Sequence, residues 1–129
     1  MADQKDHVST YTKGREGEDK AAGYLASCSF EIICRNYRNR GGEIDIIAQE
    51  KDCLVFVEVK SLPNGDIDTL ASELGPRKRH RIVRTARFFL LEHPEYASRL
   101  IRFDVIALDV PGLEAIHHIR GAFTESGLA

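Results

Sequence analysis

Two apolar runs separated by a short polar segment most restrict the fold that this chain can adopt. The runs "GEIDIIA" and "CLVFVEVK" have strand length and are rich in β-branched residues, and "AQEKDC" is short enough to connect them as a hairpin. Both runs nevertheless carry charge, at Glu43, Asp45, Glu58 and Lys60. Because a buried charge is costly unless it is paired, these side chains must have partners in the fold.

The rest of the pattern places this hairpin in an α/β domain. Helical periodicity runs from Gly14 to about Ser27, with Ala21, Ala22 and Leu25 as its apolar stripe. "FEIICRNY" is a further strand, "PRKRHRIVRTARFFLLEH" predicts a helix that begins at Pro76, and "RFDVIALD" and "AIHHI" predict two more strands. This order predicts an α/β fold with a mixed central β-sheet of about five strands flanked by helices.

The chain has the length of one domain, 129 residues, and no repeat or linker divides it. Its ends are too polar or too small to pack, so we expect a flexible N-terminal tail over residues 1–13, one domain over 14–121 and a C-terminal tail over 122–129. The first residues, "MADQKDHVSTYTKG", are polar, and no apolar run approaches the roughly 20 residues of a membrane span. We therefore expect a cytoplasmic protein without a membrane partner.

Strand alternation sorts the charged side chains by sheet face. In the third strand it places Glu58 and Lys60 on one face. In the second strand it predicts two faces, one with Glu43, Asp45 and Ile47 and the other with Ile44 and Ile46. Hairpin pairing would then bring Asp45 and Glu58 side by side. Two adjacent carboxylates repel each other, so this arrangement needs a compensating cation.

A divalent metal ion would supply that positive charge. Mg²⁺ prefers a few carboxylate oxygens together with waters and substrate phosphate oxygens. Asp45, Glu58 and the backbone carbonyl of Val59 would form such a set, and Lys60 would orient a water and stabilise developing charge. Glu18 falls on the apolar stripe of the first helix, so it points toward the sheet and could contact the metal directly or through water.

A purely structural role is the alternative for the same side chains. Glu58 and Lys60 could form an ion pair at the end of the sheet, with Asp45 capped by backbone amides. Three roles are compatible with the position of Glu43: a metal ligand, a hydrogen-bond acceptor behind the ligands, or a partner for Arg40.

Basic residues are concentrated in one part of the chain. The segment from Pro76 to Arg102 holds eight basic and two acidic residues, although the net charge of the whole chain is −2. Within the second helix, several arginines lie opposite the apolar arc, and Lys78 falls on the border. This distribution predicts a nucleic-acid-binding surface formed by Arg38, Arg40, Arg77, Lys78, Arg81 and Arg84. A solvated helix face is the alternative.

Several segments together resemble a known family. "GREGEDKAAGYL", "RNYRNRGGEIDIIA", "LVFVEVK", "PRKRHRIVRTARFFL" and "IRFDVIALD" are similar to the YraN-type family of small bacterial proteins. That family is similar to the PD-(D/E)XK nuclease superfamily, with a restriction-endonuclease-like fold and a likeness to archaeal Holliday junction resolvases. The resemblance implies Asp45 as the motif acid, Glu58 and Lys60 as the Glu-x-Lys pair, and Glu18 as the acid of the first helix. Lys78 matches a lysine usual in the family's second helix.

The resemblance also implies a function. The implied function is that of an endonuclease, which uses Mg²⁺ or Mn²⁺ to hydrolyse phosphodiester bonds in branched or recombination-intermediate DNA. A resolvase would need two active sites, which is compatible with a homodimer. Members usually carry a small residue and then Arg after "VEVK", whereas here Ser61 is followed by Leu62. Two alternatives remain: a catalytically weak DNA-binding module of nuclease fold used in repair, recombination or DNA uptake, and a protein-interaction domain with charged strand ends.

Overall fold

The computed structural model describes the backbone of residues 2–125 and the side chains of residues 15–125. The elements, in chain order, are α1 (Ala2–Ser27), β1 (Glu31–Asn39), β2 (Gly42–Glu50), β3 (Cys53–Ser61), α2 (Ile67–Glu73), α3 (Pro76–Glu92), a 3₁₀ turn (Pro94–Tyr96), β4 (Leu100–Leu108) and β5 (Ile116–Phe123). The predicted α/β fold with five strands is confirmed.

The five strands form one mixed sheet in the order β1-β2-β3-β4-β5. The first three strands are an antiparallel meander, β3 and β4 are parallel, and β5 returns antiparallel to β4. Parallel strands need a long crossover connection, and α2 and α3 supply it here. The carboxyl end of β3, which carries Glu58 and Lys60, therefore leads directly into the two helices that cover it.

The helices cover both faces of the sheet. Ala21 and Leu25 of α1 are fully buried in a core with residues of β2 and β3, as the apolar stripe predicts. On the other face, α3 begins at Pro76 as predicted and buries Ile82, Val83 and Phe89 against the sheet. The charged strand ends consequently lie between two helical layers.

The predicted tails differ from the observed element boundaries. Helix α1 begins at Ala2 rather than at Gly14, and β5 ends at Phe123, beyond the expected end of the domain at residue 121. The parts of the tail predictions that concern residue 1 and residues 126–129 lie outside the described residues.

The alternation predicted for β2 is wrong at Asp45. Ile44 and Ile47 both pack in the core beneath α3, whereas Ile46 packs beneath α1. The reason is a local break in strand pairing: β2 and β3 are paired up to Ile46 and Val57 and then separate. In β1, Asn36 has a φ of 52°, a left-handed conformation that Asn tolerates. We call the gap that opens beyond Ile46 and Val57 the β2–β3 fork.

Among the helices of the described chain, none has both the length and the apolar character needed to cross a membrane.

Candidate active site at the β2–β3 fork

Asp45 lies at the β2–β3 fork, where its carboxylate replaces a missing backbone partner. Its Oδ2 accepts a hydrogen bond of 2.8 Å from the backbone N–H of Val59. Burial raises the pKa of Asp45, while this hydrogen bond and the charge of Lys78 act in the opposite direction. The separation of the strands thus leaves a peptide N–H for the carboxylate and holds Asp45 beside the end of β3.

Glu58 is the most buried acid of the site, with a side chain that is 6% exposed. It lies next to Asp45, as hairpin pairing predicts, close enough for each carboxyl group to affect the pKa of the other. Burial and the charge of Asp45 raise the pKa of Glu58 to about 7, against the opposing effects of Lys78 and Lys60. Below a pH of about 7 the pair therefore holds a proton, which a cation could replace.

Lys78 is the direct partner of Glu58. Its Nζ lies 3.2 Å from Glu58 Oε1, and its side chain is 30% exposed. From the sequence we assign Lys78 to the nucleic-acid-binding surface, but its position on the border of the apolar arc of α3 lets it reach the sheet. The structure thus brings into the site a lysine that helical periodicity alone does not assign there.

Lys60 has a different partner from the one expected in a purely structural site. Its Nζ lies 3.2 Å from Glu73 Oε2 at the end of α2. The interpretation of Glu58 and Lys60 as an ion pair is therefore wrong, because α2 and α3 each bring a residue of opposite charge to the strand end. No sequence pattern indicated Glu73, which follows a segment rich in turn residues.

Glu18 approaches the fork from the opposite helical layer. Its side chain is 18% exposed, and its Oε2 lies 3.9 Å from Nη2 of Arg35. Burial and the charge of Asp45 raise the pKa of Glu18, while the neighbouring Asn36 side chain acts to lower it. The predicted direction of Glu18, toward the sheet, agrees with this environment. Asn36 was missed, although Asn is one of the non-glycine residue types most enriched in the left-handed conformation that it adopts here.

Glu43 lies at the edge of the site in an ion pair with Arg38. The distance from Arg38 Nε to Glu43 Oε2 is 2.9 Å, and both side chains are more than half exposed. The interpretation of Glu43 as a partner of Arg40 is wrong, because the Arg40 guanidinium lies over the ring of Phe88, 4.3 Å from its centre. Two arginines predicted to bind nucleic acid therefore have intramolecular partners.

The remaining arginines of that prediction lie on the outer face of α3. Arg77, Arg81 and Arg84 are exposed, as is Arg87 one turn further along. Arg84 donates a hydrogen bond of 3.2 Å to the carbonyl of Gly41 in the β1–β2 turn. This basic face begins beside Lys78 and is therefore continuous with the carboxylate pair.

The donor set suits a hard divalent cation better than a soft one. Within residues 15–125, no group of three or more His, Cys, Asp and Glu side chains converges on a common point. Mg²⁺ does not require such a group, since it is bound through one or two carboxylates and keeps its waters. Asp45 and Glu58 form a pair of that kind: Glu58 is buried, Asp45 is half-buried, and Lys78 is the lysine in direct contact with Glu58. The residues fit Mg²⁺ or Mn²⁺ on this ground.

A second buried acid, Asp104, belongs to a structural network. It binds the guanidinium of Arg102 through both carboxylate oxygens at 2.8 and 2.9 Å and contacts His118 Nε2 at 2.7 Å. Although burial alone would raise its pKa, the hydrogen bonds from His118 and Arg102 hold the pKa of Asp104 below its ordinary value. Its hydrogen-bonding capacity is used within the protein, in contrast to the carboxylate pair at the fork.

The fold and the fork define a small α/β protein with a buried carboxylate pair at a strand end. The chain belongs to the uncharacterised protein family UPF0102, which is the YraN-type family, and the family's sequence model matches residues 17–108. The matched segment contains all the fork residues described above.

Individual relatives extend this similarity over most of the chain. A UPF0102 protein of Frankia casuarinae is 46% identical over 112 residues, which cover 85% of this chain and 94% of the relative. A UPF0102 protein of Persephonella marina is 38% identical, with 88% and 95% covered. A UPF0102 protein of Treponema pallidum (strain Nichols) is 50% identical over 95 residues, with 74% and 75% covered.

Proposed function

We propose that this protein is a divalent-metal-dependent endonuclease that hydrolyses DNA phosphodiester bonds. The observation that carries the proposal is the carboxylate pair of half-buried Asp45 and buried Glu58 beside Lys78, with the pKa of Glu58 raised to about 7. Titratable groups perturbed by burial and by a specific neighbour are typical of functional sites. We further propose that the fold is restriction-endonuclease-like, in keeping with the resemblance of the family to the PD-(D/E)XK superfamily.

The site residues have separate roles in this proposal. Asp45, Glu58 and the carbonyl of Val59 would hold Mg²⁺ or Mn²⁺. A bound cation of this kind polarises a phosphodiester and lowers the pKa of a water. Lys60 would stabilise the negative charge that develops on the phosphate, once its contact with Glu73 opens. Glu18 would accept a hydrogen bond from a water at the fork, on the side of α1.

The substrate would reach the site across the basic face of α3. Arg77, Arg81 and Arg84 carry charge that suits the phosphate backbone of DNA, which supplies affinity without sequence preference. Branched or recombination-intermediate DNA is the substrate class we propose from the resolvase-like resemblance, with a homodimer supplying two sites. The cytoplasmic location stays a prediction.

A cleavage assay tests this function directly. Purified protein would be incubated with supercoiled, single-stranded and four-way-junction DNA in Mg²⁺, in Mn²⁺ and in EDTA. We expect cleavage that requires the metal and that falls by about 100-fold or more in Asp45→Ala and Lys60→Ala. Asp52→Ala and Lys20→Ala remove the same charges at exposed positions and should retain wild-type activity. Cleavage that survives in both site variants would come from a contaminant and would contradict the proposal.

A DNA-binding module with little or no catalysis is the second candidate. The specific observation in its favour is the ion pair of Lys60 with Glu73. Leu62 adds to it, since the family resemblance implies an Arg at this position. Salt-dependent DNA binding without metal-dependent cleavage would support it. Binding should then weaken in Arg81→Ala/Arg84→Ala, and the slope of log affinity against log salt should fall by about 2. Arg99→Ala, a charge change outside α3, is the matched control.

A further inference from the structure

The side chain of Lys78 contacts both the interior of the site and an open cavity on the outside. Its Nζ contacts Glu58 Oε1 at 3.2 Å, in the interior of the site. The same side chain also lines an open cavity of about 550 Å³ between the end of α2 and the beginning of α3. Other lining residues are Glu73, Arg77 and Arg81. Lys78 is therefore within reach of an interior acid and of an outer basic cavity.

The contact with Glu58 is of a kind that a divalent cation would replace. Lys78 brings one positive charge to two carboxyl groups, whereas Mg²⁺ brings two charges and binds the carboxylate oxygens directly. An ion on Glu58 would lie close to the Lys78 ammonium, and two like charges at such a distance repel strongly in a partly buried site. Because Lys has a long flexible stem and its side chain here is 30% exposed, it can turn outward at little cost.

The cavity is a suitable destination for the released ammonium group. Arg77 and Arg81 line it one turn apart on α3, so a lysine that turned into it would join two guanidinium groups. Three positive charges against the one carboxylate of Glu73 would leave the cavity basic, which suits a phosphate group of a polyanion. In the absence of an anion the three charges would repel one another, so occupation of the cavity depends on the anion, whereas release of Lys78 from Glu58 depends on the cation.

We propose that Lys78 is an exchangeable counter-ion, which neutralises Glu58 until a divalent cation binds there and then turns to the cavity to bind a phosphate of the nucleic acid. This inference rests on the proposed function, because it assumes a cation at Asp45 and Glu58. Its consequence is that cation and polyanion assist each other's binding, since the residue released by one is used by the other.

Cation affinity in the absence of DNA tests the first half. Mg²⁺ binding would be measured by calorimetry at pH 8.5 for the wild type, Lys78→Met and Arg77→Met. Removing the competing ammonium should tighten Mg²⁺ binding by about tenfold. Arg77→Met removes the same charge from the same turn of α3 without altering the contact to Glu58, and should change the affinity less than threefold. If Lys78→Met binds Mg²⁺ with unchanged or lower affinity, the exchange is overturned.

Lysine labelling of the wild type keeps the test independent of variant folding. Amine-reactive labelling with peptide mapping should show that Mg²⁺ increases the modification of Lys78 several-fold relative to exposed Lys51. Unchanged or decreased modification of Lys78 would overturn the exchange.

The second half is tested with a short phosphorothioate oligonucleotide, which resists hydrolysis. Mg²⁺ should tighten its binding to the wild type several-fold more than its binding to Lys78→Met. Equal effects on the two proteins would overturn the phosphate role. Failure of the proposed function gives a different result. If the wild type binds no Mg²⁺ at millimolar concentration, the metal site and the exchange are overturned together. If the wild type binds Mg²⁺ but the Lys78 tests fail, only the exchange is overturned.

Discussion

At the residue scale, the chemistry of the fork depends on Glu58. Its carboxyl group is buried, it adjoins Asp45, and its ion-pair partner is Lys78. Burial contributes most to the raised pKa of Glu58, and the charge of Asp45 adds to it. Burial destabilises the anionic form of this carboxyl group. Binding of a proton or of a divalent cation is therefore favoured.

The raised pKa of Glu58 makes stability depend on pH in a predictable direction. Between 4.5 and about 7 the folded protein holds a proton that the unfolded chain has lost, so the free energy of unfolding should fall as pH rises through this window. The full difference is about 3 kcal/mol. Urea unfolding in EDTA at pH 5 and pH 8.5 would measure it.

Variants separate this effect from other acids. Glu58→Gln should show a weaker pH dependence than the wild type and be the more stable protein at pH 8.5, because Gln is neutral at both pH values. The remaining dependence comes from Asp45 and Glu18, whose pKa values are also raised. Glu73→Gln, at a side chain that is 41% exposed, should keep the pH dependence of the wild type. The lowered pKa of Asp104 makes its contribution complete above pH 3.8, so it adds no slope in this window. Stability that is equal at the two pH values in the wild type would contradict the assignment.

At the element scale, the β1–β2 turn is held against α3 by close backbone contact. A Cβ on Gly41 would lie 2.9 Å from Phe88 Cδ2 and 3.0 Å from Thr85 Cα. Asn39 Nδ2 also donates to the carbonyl of Thr85 at 3.1 Å. These contacts fix the start of β2, and therefore the position of Asp45, relative to the helix that carries Lys78.

Gly41→Ala should destabilise the protein by roughly 1–3 kcal/mol, because the added methyl group has no room between the turn and α3. Gly23→Ala is the matched control. Gly23 lies within α1, and a Cβ at this position would meet no neighbouring element within 4 Å, so this change should stabilise the protein by roughly 0.5–1 kcal/mol through helix propensity. Thermal or urea unfolding distinguishes the two, and a neutral Gly41→Ala would contradict the close approach.

The β4–β5 pair depends on a polar network centred on Asp104. Its carboxylate bonds to Arg102 in its own strand and to His118 and the backbone N–H of Gly121 in β5. Asp104→Ala leaves a buried imidazole and a guanidinium without this partner and should lower the free energy of unfolding by about 3 kcal/mol. Glu114→Gln, which alters an exposed pair with His117, should change it by less than about 1 kcal/mol. Equal effects in denaturant titrations would show that burial does not determine the cost.

At the scale of the whole molecule, the sequence predicts the elements better than their junctions. Strand runs, both helical stripes and the meeting of Asp45 with Glu58 follow from local periodicity and hairpin pairing, and the structure confirms these elements and their packing. The loss of alternation along β2 does not follow from the sequence, because alternation assumes an unbroken pleat. The left-handed backbone of Asn36 arises in β1, where it is paired with β2, and local periodicity does not show it.

The sequence also could not predict the ion-pair partners of Glu58 and Lys60. Lys60 contacts Glu73 and Glu58 contacts Lys78 because α2 and α3 pack over the end of β3, which is a result of tertiary packing. Spacing along one strand could suggest only the pair within that strand. The sequence identified the charged residues at the strand end correctly. Their ion-pair partners depend on how the crossover connection packs.

We propose that Asp45 and Glu58 hold a divalent cation at the β2–β3 fork. Anomalous diffraction from crystals soaked in Mn²⁺ tests it most directly, with Glu58→Gln crystals as the control. We predict a single strong peak in contact with both carboxylates and the carbonyl of Val59, and its loss in Glu58→Gln. A fork without a peak at saturating Mn²⁺, with Lys78 still on Glu58, would contradict the claim.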